Sequence, residues 1–542
     1  MSFMILQKTE KIVFFLILLF ILPALLINLG IAPLIEDESI RALVALEMDI
    51  SKDFLTPTLG GMLYFNKPPL FNWIILLFYN LTHSYSEFVI RIPTILFLLV
   101  FMYTIYRFTL KHLGNKYALI NAFAFLTCGR IIFYDSMLGL IDITYSWLTY
   151  LMFNIIFVYY KEGKFNKLFI LTYIITAAGF LFKGFPSVIF TGITLLLVFV
   201  YHRNFKKLFS VYHFIGIFIF LGIIGLYYYL YYRSNPGALE TMFSTLFKES
   251  SKRTIVEHNV FESVKHFFLF PFDLLYHFLP WTVLVFLLFK KGMIRKIWNH
   301  EYLKYCSLVF LANIVVYWFS PNVYPRYFFM LIPLAFTILI YTYKEAQSDA
   351  KNIHIKILDI VFVIPMVFVV GLQFAIPFDE RTKEIPFSVL TGIVSLLCYG
   401  IIIYFYFLRK NLRLLLTVLF ILVFRAQFNC IILKIRENES RDVLCRSDAA
   451  NIGKTLINEP LLLQNDVEIE GFIYPKLINY QTMFYITRER GEILGRGKAV
   501  PGDTNYITFD PLLKGKTYDL VSNLRVHHGN MTARVVKFVD EK

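Results

Sequence analysis

Long apolar stretches recur along the sequence as far as about residue 433, and they limit the possible folds more than any other feature. An α-helix of about 20 residues crosses the roughly 30 Å hydrocarbon layer of a bilayer. The chain is 57% hydrophobic and only 17% charged, whereas soluble proteins are typically about 45–50% apolar and about 25% charged. A soluble fold of 542 residues could not bury so much apolar surface. The sequence therefore predicts a polytopic membrane protein.

The apolar stretches predict an all-α membrane core of about thirteen transmembrane helices. Their approximate spans are 12–33, 91–110, 117–134, 141–159, 168–182, 185–201, 211–232, 270–289, 303–320, 327–343, 357–376, 387–408 and 413–433. The first span follows two lysines and resembles a signal sequence, but no clear cleavage site comes after it. We therefore expect an uncleaved first transmembrane helix.

Positive charges are concentrated in alternate loops, and this distribution predicts the orientation of the chain. The basic loops lie at 107–116, 161–167, 203–207, 290–296, 344–351 and 409–413. The positive-inside rule places these loops, together with the N-terminus, in the cytoplasm. An odd number of spans then leaves the C-terminus outside. Most of the net charge of +15 is thus a topology signal, which argues against a nucleic-acid partner.

Two large pieces of the chain are predicted to lie outside the membrane. The first external loop, at 34–90, contains probable short interfacial helices at 40–47 and 70–81. The second piece, at 438–542, has the composition of a soluble protein, with alternating stretches separated by glycine and proline turns. The predicted domains are therefore a membrane core at 1–437 and a small soluble α/β domain at 438–542 on the outer side.

A dense acidic cluster follows the first predicted span directly. Asp37 and Glu38 stand at the mouth of a membrane helix, where carboxylates are costly to desolvate and are usually paired, hydrated or functional. Arg41 lies one helical turn further on and can pair with either acid. The alternative is that these acids only cap a helix and complement its dipole.

A second candidate site lies in the sequence Tyr64-Phe65-Asn66-Lys67-Pro68-Pro69 of the same loop. The two prolines fix the chain and favour the start of a helix, so Lys67 should sit at a rigid corner. An ammonium group held at the outer membrane boundary suits a lipid-linked phosphate. The alternative is a lysine that merely extends towards the lipid headgroups.

Further polar groups fall in turns on the same predicted side of the membrane. They are Asp135 and Asp142 in one hairpin, Lys183 in a tight turn, Arg253 and His266 in the fourth outer loop, and Arg326 with Tyr327 before a late span. Each has a structural alternative, such as a helix cap or an aromatic belt. The sequence contains no phosphate-binding loop of the G-x-x-x-x-G-K-[ST] type, no H-E-x-x-H and no G-x-S-x-G. Energy from cytoplasmic nucleotide hydrolysis is therefore not expected.

The order of these motifs resembles the GT-C glycosyltransferases of the ArnT-like and protein O-mannosyltransferase type. The resemblance rests on the Asp37-Glu38 pair, the Asp53-Phe54-Leu55-Thr56-Pro57 segment, the Lys67-Pro68-Pro69 corner and the later turns around Asp142, Lys183, Pro280 and Arg326. It covers most of residues 30–340. The thirteen-span core with an outer C-terminal domain is similar to the aminoarabinose transferase branch.

The resemblance implies an integral membrane enzyme that takes a sugar from a polyprenyl phosphate. It implies that Asp37, with Glu38 beside it, forms the catalytic acidic pair and activates the acceptor for attack with inversion. Lys67, Arg326 and Tyr327 would bind the donor phosphate. The remaining cavity residues would be Arg41, Tyr64, Asp142, Lys183, Arg253 and His266.

Two positions depart from the pattern of that branch. Asn66 stands where a glutamate that can help to bind a metal often precedes the Lys-Pro-Pro motif, and Ile40 stands where the family often has arginine. His266 matches a histidine ligand of the branch, but the glutamate is missing. A divalent metal therefore remains only an open alternative, and no other cofactor is expected.

We expect a glycosyltransferase of the bacterial cytoplasmic membrane that uses an undecaprenyl-phosphate donor. Its acceptor can be a lipid, a glycan or a protein, so lipid A modification and protein glycosylation both remain open. The alternative from a different class is a flippase for lipid-linked sugars without chemistry. Transporters, however, place ionisable groups near the bilayer midplane and often show inverted repeats. A third possibility is that the C-terminal domain is a separate binding module.

Overall fold

A computed structural model describes residues 8–251, 260–320, 323–347, 353–464, 468–469, 472–473 and 478–540. The described chain is mostly helical. The helices of the first half are α1 (Lys8–Leu26), α2 (Glu36–Ser51), α3 (Leu70–Thr82), α4 (Glu87–Leu113), α5 (Asn115–Thr127), α6 (Gly129–Phe133), α7 (Ile141–Lys161), α8 (Phe165–Lys183), α9 (Pro186–Tyr201), α10 (Val211–Ser234) and α11 (Ala238–Ser251).

The second half continues the bundle and ends in an α/β region. Its helices are α12 (Val260–His277), α13 (Met293–Asn299), α14 (Glu301–Trp318), α15 (Ile332–Gln347), α16 (Ile353–Gln373), α17 (Glu380–Lys383), α18 (Ser388–Leu408), α19 (Arg413–Cys430), α20 (Ile432–Glu439), α21 (Arg441–Thr455), α22 (Tyr480–Arg490) and α23 (Asp510–Leu513). Short 3₁₀ helices lie at Asp135–Met137, Phe205–Phe209, Trp281–Phe289, Pro325–Phe328, Ile376–Phe378 and Lys410–Leu412.

Each of the thirteen predicted spans coincides with a helix or with a bent pair of helices. Within the described ranges, 8 helical segments are long and apolar enough to cross a membrane, and the number rises to 10 if each of two bent pairs counts as one span. The other three predicted spans correspond to α9, α14 and α15, which are shorter or less apolar. The structure thus confirms a multi-pass membrane protein, while the number thirteen stays a prediction.

The first external loop contains two helices joined by a small hairpin. Helices α2 and α3 confirm the two short helices predicted there, and α3 begins directly after Pro68 and Pro69. Strands β1 (Thr58–Leu59) and β2 (Met62–Leu63) pair antiparallel between them. Glu47 of α2 accepts hydrogen bonds from the backbone N–H groups of Gly60 at 2.6 Å and Gly61 at 3.3 Å. The hairpin is therefore fastened to α2.

The C-terminal region contains a mixed sheet with helices packed against it. Its strands are β3 (Leu461–Gln464), β4 (Glu468–Ile469), β5 (Phe472–Ile473), β6 (Gly495–Gly497), β7 (Asn505–Thr508), β8 (Tyr518–Val526) and β9 (Met531–Phe538). The main sheet has the order β6-β3-β7-β9-β8, with β3 parallel to both of its neighbours and β9 antiparallel to both of its own. This α/β region confirms the predicted fold class, whereas the boundary at residue 438 stays a prediction.

The membrane core and the C-terminal region share one apolar core. A single cluster of buried side chains extends from α1, through the bundle, to the helices and the sheet of the C-terminal region. Helix α22 packs directly against α2 of the first external loop. The helix that carries Asp37 is therefore covered by the C-terminal region rather than lying free on the membrane surface.

Candidate functional site

Asp37 lies in the first turn of α2 and pairs with an arginine that is 289 residues away in the sequence. The Arg326 guanidinium donates from Nη2 to Asp37 Oδ2 at 2.7 Å. The Asp37 side chain is 53% exposed, whereas that of Arg326 is only 6% exposed. Asp37 therefore offers a carboxylate to an open space while a buried cation holds it in place.

Arg326 also links Asp37 to a second acid at the same end of the bundle. Helices α7 and α8 run antiparallel, so Asp142 at the start of α7 meets Lys183 at the end of α8. Lys183 Nζ lies 2.5 Å from Asp142 Oδ1, and Arg326 Nε lies 3.5 Å from Asp142 Oδ2. The four side chains form a continuous row of alternating charge, from Asp37 through Arg326 and Asp142 to Lys183.

Burial and charge act in opposite directions on the Arg326 guanidinium. Burial lowers its pKa, but the nearby Asp142 carboxylate, the Tyr327 phenol and the Asp37 carboxylate more than offset this effect and raise the pKa above its ordinary value. The guanidinium is thus a permanent cation. It is a fixed positive group next to the half-exposed Asp37 carboxylate.

Aromatic rings enclose the cations of this row. Lys183 Nζ lies 4.3 Å from the ring centre of Tyr327 and 5.0 Å from that of Tyr145. The Arg326 guanidinium lies 4.7 Å from the ring centre of Tyr324. Such rings attract cations through their faces and exclude water from them. The charges are therefore held in a partly dry surrounding, where electrostatic interactions are stronger than in water.

Arg41 and Tyr64 connect α2 to the segment that carries Lys67. Arg41 Nη2 donates to the Tyr64 hydroxyl, and its guanidinium also lies 5.2 Å from the ring centre of that tyrosine. Burial raises the pKa of the Tyr64 phenol, which therefore stays neutral. Lys67 follows three residues later and is half-buried at the corner before α3. The rigid corner predicted at the two prolines is thus anchored to α2.

Glu38 points away from this row, although it is adjacent to Asp37 in the sequence. It is fully buried and accepts two hydrogen bonds from Arg91, from Nε at 2.7 Å and from Nη2 at 2.9 Å. It accepts further bonds from the backbone N–H groups of Gly139 and Ile35. The two neighbouring acids therefore differ in their surroundings: Asp37 is exposed, whereas Glu38 is buried and hydrogen-bonded to other protein groups.

Comparison with known proteins gives a consistent result for the fold. Residues 66–228 match the family model described as dolichyl-phosphate-mannose-protein mannosyltransferase. Two crystal structures of ArnT from Cupriavidus metallidurans, one bound to undecaprenyl phosphate and one in the apo state, superpose with TM-scores of 0.68 and 0.67. Each is 15% identical to this chain, and each alignment covers 98% of both chains. The chain has the GT-C fold of ArnT. No curated protein sequence matches it.

The segment that matches the family model contains some of the candidate site residues but not all of them. Lys67, Asp142 and Lys183 fall inside residues 66–228, whereas Asp37 and Arg326 fall outside them. The fold, rather than the matched segment alone, therefore assembles the candidate site from both halves of the chain.

Of the two candidates in the fourth predicted outer loop, the structure describes only His266, which lies in α12. The His266 ring lies 3.4 Å from the Tyr317 carbonyl oxygen, through Nε2, and contacts the Phe270 ring. Arg253 lies outside the described residues. No group of three or more His, Cys, Asp and Glu side chains in the described part of the chain is close enough together to hold a metal ion.

One partner near the site, Arg91, was not predicted from the sequence, and Asp135, a predicted polar group of the hairpin, has a partner that was not predicted. Arg91 is the first residue of the predicted span 91–110, and a charge inside an apolar stretch is a signal that a buried partner exists. Asp135 is buried and accepts from Arg130 Nε at 2.6 Å, while its Oδ1 atom has no hydrogen-bond partner. Asp135 also acts electrostatically on Arg326, so it belongs to the surroundings of the row.

Proposed function

We propose that this GT-C chain is a glycosyltransferase that moves a sugar from a polyprenyl phosphate donor to a lipid, glycan or protein acceptor. The observation that carries the proposal is the half-exposed Asp37 carboxylate, paired with the buried Arg326 cation at 2.7 Å. The undecaprenyl phosphate bound to an ArnT of the same fold supports the donor class. The mannosyltransferase description of the matched family model supports glycosyl transfer.

Asp37 is proposed as the general base for the acceptor. The acceptor nucleophile forms a bond to the anomeric carbon, and its proton moves to the Asp37 carboxylate. The bond between the anomeric carbon and the phosphate oxygen breaks, and its electron pair leaves with the polyprenyl phosphate. Attack opposite to the leaving group inverts the anomeric centre.

Arg326 is proposed to hold the donor phosphate together with Lys67 and Tyr327. Without donor, Arg326 divides its charge between Asp37 and Asp142. A phosphate that binds the guanidinium competes with Asp37 for it, because both are anions that suit the same planar donor group. Donor binding would therefore release the Asp37 carboxylate to act on the acceptor. Cations already in position then stabilise the negative charge of the leaving phosphate.

Glu38 is proposed to position Asp37 rather than to react. Its carboxylate is buried against Arg91 and is not accessible to a substrate. Lys183 is proposed to position Asp142, and Arg41 with Tyr64 to hold the Lys67 corner in place. The site would face the outer side of a bacterial cytoplasmic membrane, with the N-terminus inside and the C-terminus outside, as the distribution of basic loops predicts.

The decisive experiment compares Asp37→Asn with the wild-type protein in detergent or proteoliposomes. We expect Asp37→Asn to lose turnover by at least about 100-fold, since a positioned general base typically contributes about 10²–10⁴-fold. Release of polyprenyl phosphate from a labelled polyprenyl-phosphate sugar, with candidate acceptors supplied, measures the rate. Asp519→Asn is the matched control, because it makes the same change at an exposed carboxylate on β8.

Binding of polyprenyl phosphate without chemistry separates the two proposed roles. Asp37→Asn should bind it at least as tightly as the wild type does, because a competing anion has been removed from Arg326. Arg326→Met should lose affinity by at least about tenfold, the effect of losing one charge-assisted contact of about 1.5–3 kcal/mol. Full turnover by Asp37→Asn, or movement of the labelled lipid across the bilayer without any sugar transfer, would refute the proposed function.

A further inference from the structure

The backbone that leads into α2 is held by a side chain from the C-terminal region. The N–H of Leu34 donates to the Tyr485 hydroxyl at 3.0 Å, and that hydroxyl donates to Glu87 Oε1 at 2.9 Å. Leu34 and Tyr485 are fully buried, so neither group can exchange its partner for water. Burial also raises the pKa of the Tyr485 phenol, which keeps the proton that it donates to Glu87.

Two arginines of the C-terminal region converge on the same glutamate. Arg446 Nη1 lies 3.1 Å from Glu87 Oε1 and also donates to the Ile31 carbonyl oxygen at 3.1 Å. Arg488 Nη1 lies 3.7 Å from Glu87 Oε2. Glu87 stands in the first turn of α4 and is buried. The C-terminal region therefore fixes both the start of α4 and the backbone segment at 31–34.

Helix α4 contacts both the C-terminal region, through Glu87, and the acidic pair, through Arg91. Arg91 lies one turn after Glu87 and donates to the carbonyl oxygens of Leu29 at 2.7 Å, Ala32 at 3.0 Å and Pro33 at 3.2 Å. The same guanidinium binds Glu38. The chain between α1 and α2 is thus held by Arg91 at residues 29–33 and by Tyr485 at Leu34. Leu34 is three residues before Asp37.

The C-terminal region also contacts the other half of α2 through the β1–β2 hairpin. Gly60, whose N–H binds Glu47, has a φ of +63°, and a Cβ atom there would lie 2.4 Å from the terminal methyl of Met483. Met483 and Tyr485 both belong to α22. Helix α22 therefore contacts the backbone just before α2 and also the β1–β2 hairpin, which is bound to the second half of α2.

We propose that α22 is a positioning element for the Asp37 carboxylate, with Tyr485 as the positioning residue and Glu87 as its anchor on α4. This inference rests on the proposed function of Asp37. It assigns the C-terminal region to the catalytic machinery rather than to a separate binding module. A small displacement of a catalytic group reduces rate strongly while leaving distant binding contacts unchanged.

The test removes one hydroxyl and compares it with a matched removal elsewhere in the same region. Tyr485→Phe keeps the buried ring but leaves the Leu34 N–H without an acceptor. Tyr506→Phe is the control, because Tyr506 is equally buried but packs against Phe538 in the sheet. We expect Tyr485→Phe to lower kcat by about tenfold, because even a small displacement of the Asp37 carboxylate slows the reaction. The KM for the donor should stay within about twofold.

Hydrogen exchange of the folded protein without donor gives a readout that does not depend on activity. In Tyr485→Phe we expect the peptide that contains Leu34 to exchange at least about fivefold faster than in Tyr506→Phe. Glu87→Gln should have a smaller effect of the same kind, because a neutral amide oxygen still accepts from Tyr485. Equal folded fractions, checked by size-exclusion elution and thermal unfolding, exclude a general loss of structure.

The outcomes separate this inference from the proposed function. If Asp37→Asn retains full activity, the proposed function fails and the positioning role fails with it. If Asp37→Asn is inactive while Tyr485→Phe matches Tyr506→Phe in kcat and in exchange, only the positioning role is overturned. A drop in kcat together with a rise in donor KM of the same size would also overturn it, since that pattern indicates lost donor binding.

Discussion

The ion pairs at the two ends of helix α7 differ strongly in exposure. Asp142 at its start is buried with Lys183, whereas Lys161 at its end pairs with Glu301 in the open. The side chains of the buried pair are 5% and 6% exposed, and those of the open pair are 51% and 55% exposed. Two other pairs lie at the end of the bundle that carries Asp142, which we call the first end. They are Glu38 with Arg91 and Asp37 with Arg326, and each has at least one buried partner.

This difference separates charges that orient the chain from charges that form a site. Exposed pairs such as Lys161 with Glu301 contribute about 0–1 kcal/mol, and the membrane alone explains the basic loop that carries Lys161. More enclosed pairs occur in two other basic loops, where Lys116 binds Glu10 and Arg413 binds Asp359. Burying ions costs several kcal/mol for each ion, which nearby counter-ions and hydrogen bonds must offset. A cluster of buried ions at one end of a bundle therefore indicates a functional constraint on that end.

The largest expected effect on stability follows from removing Arg91. Arg91→Met leaves the Glu38 carboxylate buried without its counter-ion and frees three backbone carbonyls. We expect the free energy of unfolding to fall by about 3–5 kcal/mol, as for other broken buried pairs. Denaturant unfolding in detergent measures this change. The double variant Glu38→Gln/Arg91→Met should recover part of the loss, because it removes the buried charge as well. If Arg91→Met loses less than about 1 kcal/mol, this pair contributes no more than an exposed pair does, and the prediction is wrong.

The sequence predicts the local features of the first end but not their partners. The start of α3 after Pro68 and the acids at the start of α2 follow from residue types and short spacings. The Asp37–Arg326 contact joins positions 289 residues apart, and the Leu34–Tyr485 contact joins positions 451 apart. No periodicity encodes such contacts, because they depend on how the helices pack. The opposite environments of Asp37 and Glu38 were unpredictable for the same reason.

A smaller loss of stability is expected at the other buried pair. Lys183→Met removes one cation from Asp142, but Arg326 remains 3.5 Å from the same carboxylate. We therefore expect the free energy of unfolding to fall by about 1–3 kcal/mol, the range for a buried group that loses one of its partners. Unfolding under the same conditions, beside Lys183→Arg, measures the effect. A loss as large as that of Arg91→Met would mean that Arg326 does not share the charge of Asp142.

A pH-dependent effect on stability, smaller than the losses at the two buried pairs, is expected from Glu47. Burial raises the pKa of this carboxyl, and hydrogen bonds from Thr58, Gly60 and Gly61 offset only part of that effect. A raised pKa means that folding favours the protonated form, so the contribution of Glu47 is present below its ordinary pKa and is lost as the pH rises through the folded value. Glu47→Gln should lack this loss, so its thermal midpoint should fall less than that of the wild type between about pH 4 and pH 7. Parallel curves for the two proteins would contradict the prediction.

The smallest effect is expected at the exposed end. Lys161→Met breaks the contact with Glu301, but both side chains are half-exposed, so water replaces the lost partner. We expect a loss of about 0.2–1 kcal/mol that becomes smaller as the salt concentration rises, because exposed charges are screened over about 10 Å at 0.1 M ionic strength. Lys296→Met is the comparison variant, because Lys296 is 55% exposed and pairs with Glu345, which is 26% exposed. A loss above about 2 kcal/mol would be twice the upper range for exposed pairs. If such a loss did not depend on salt, exposure would not explain how the energies of the two pairs on α7 differ.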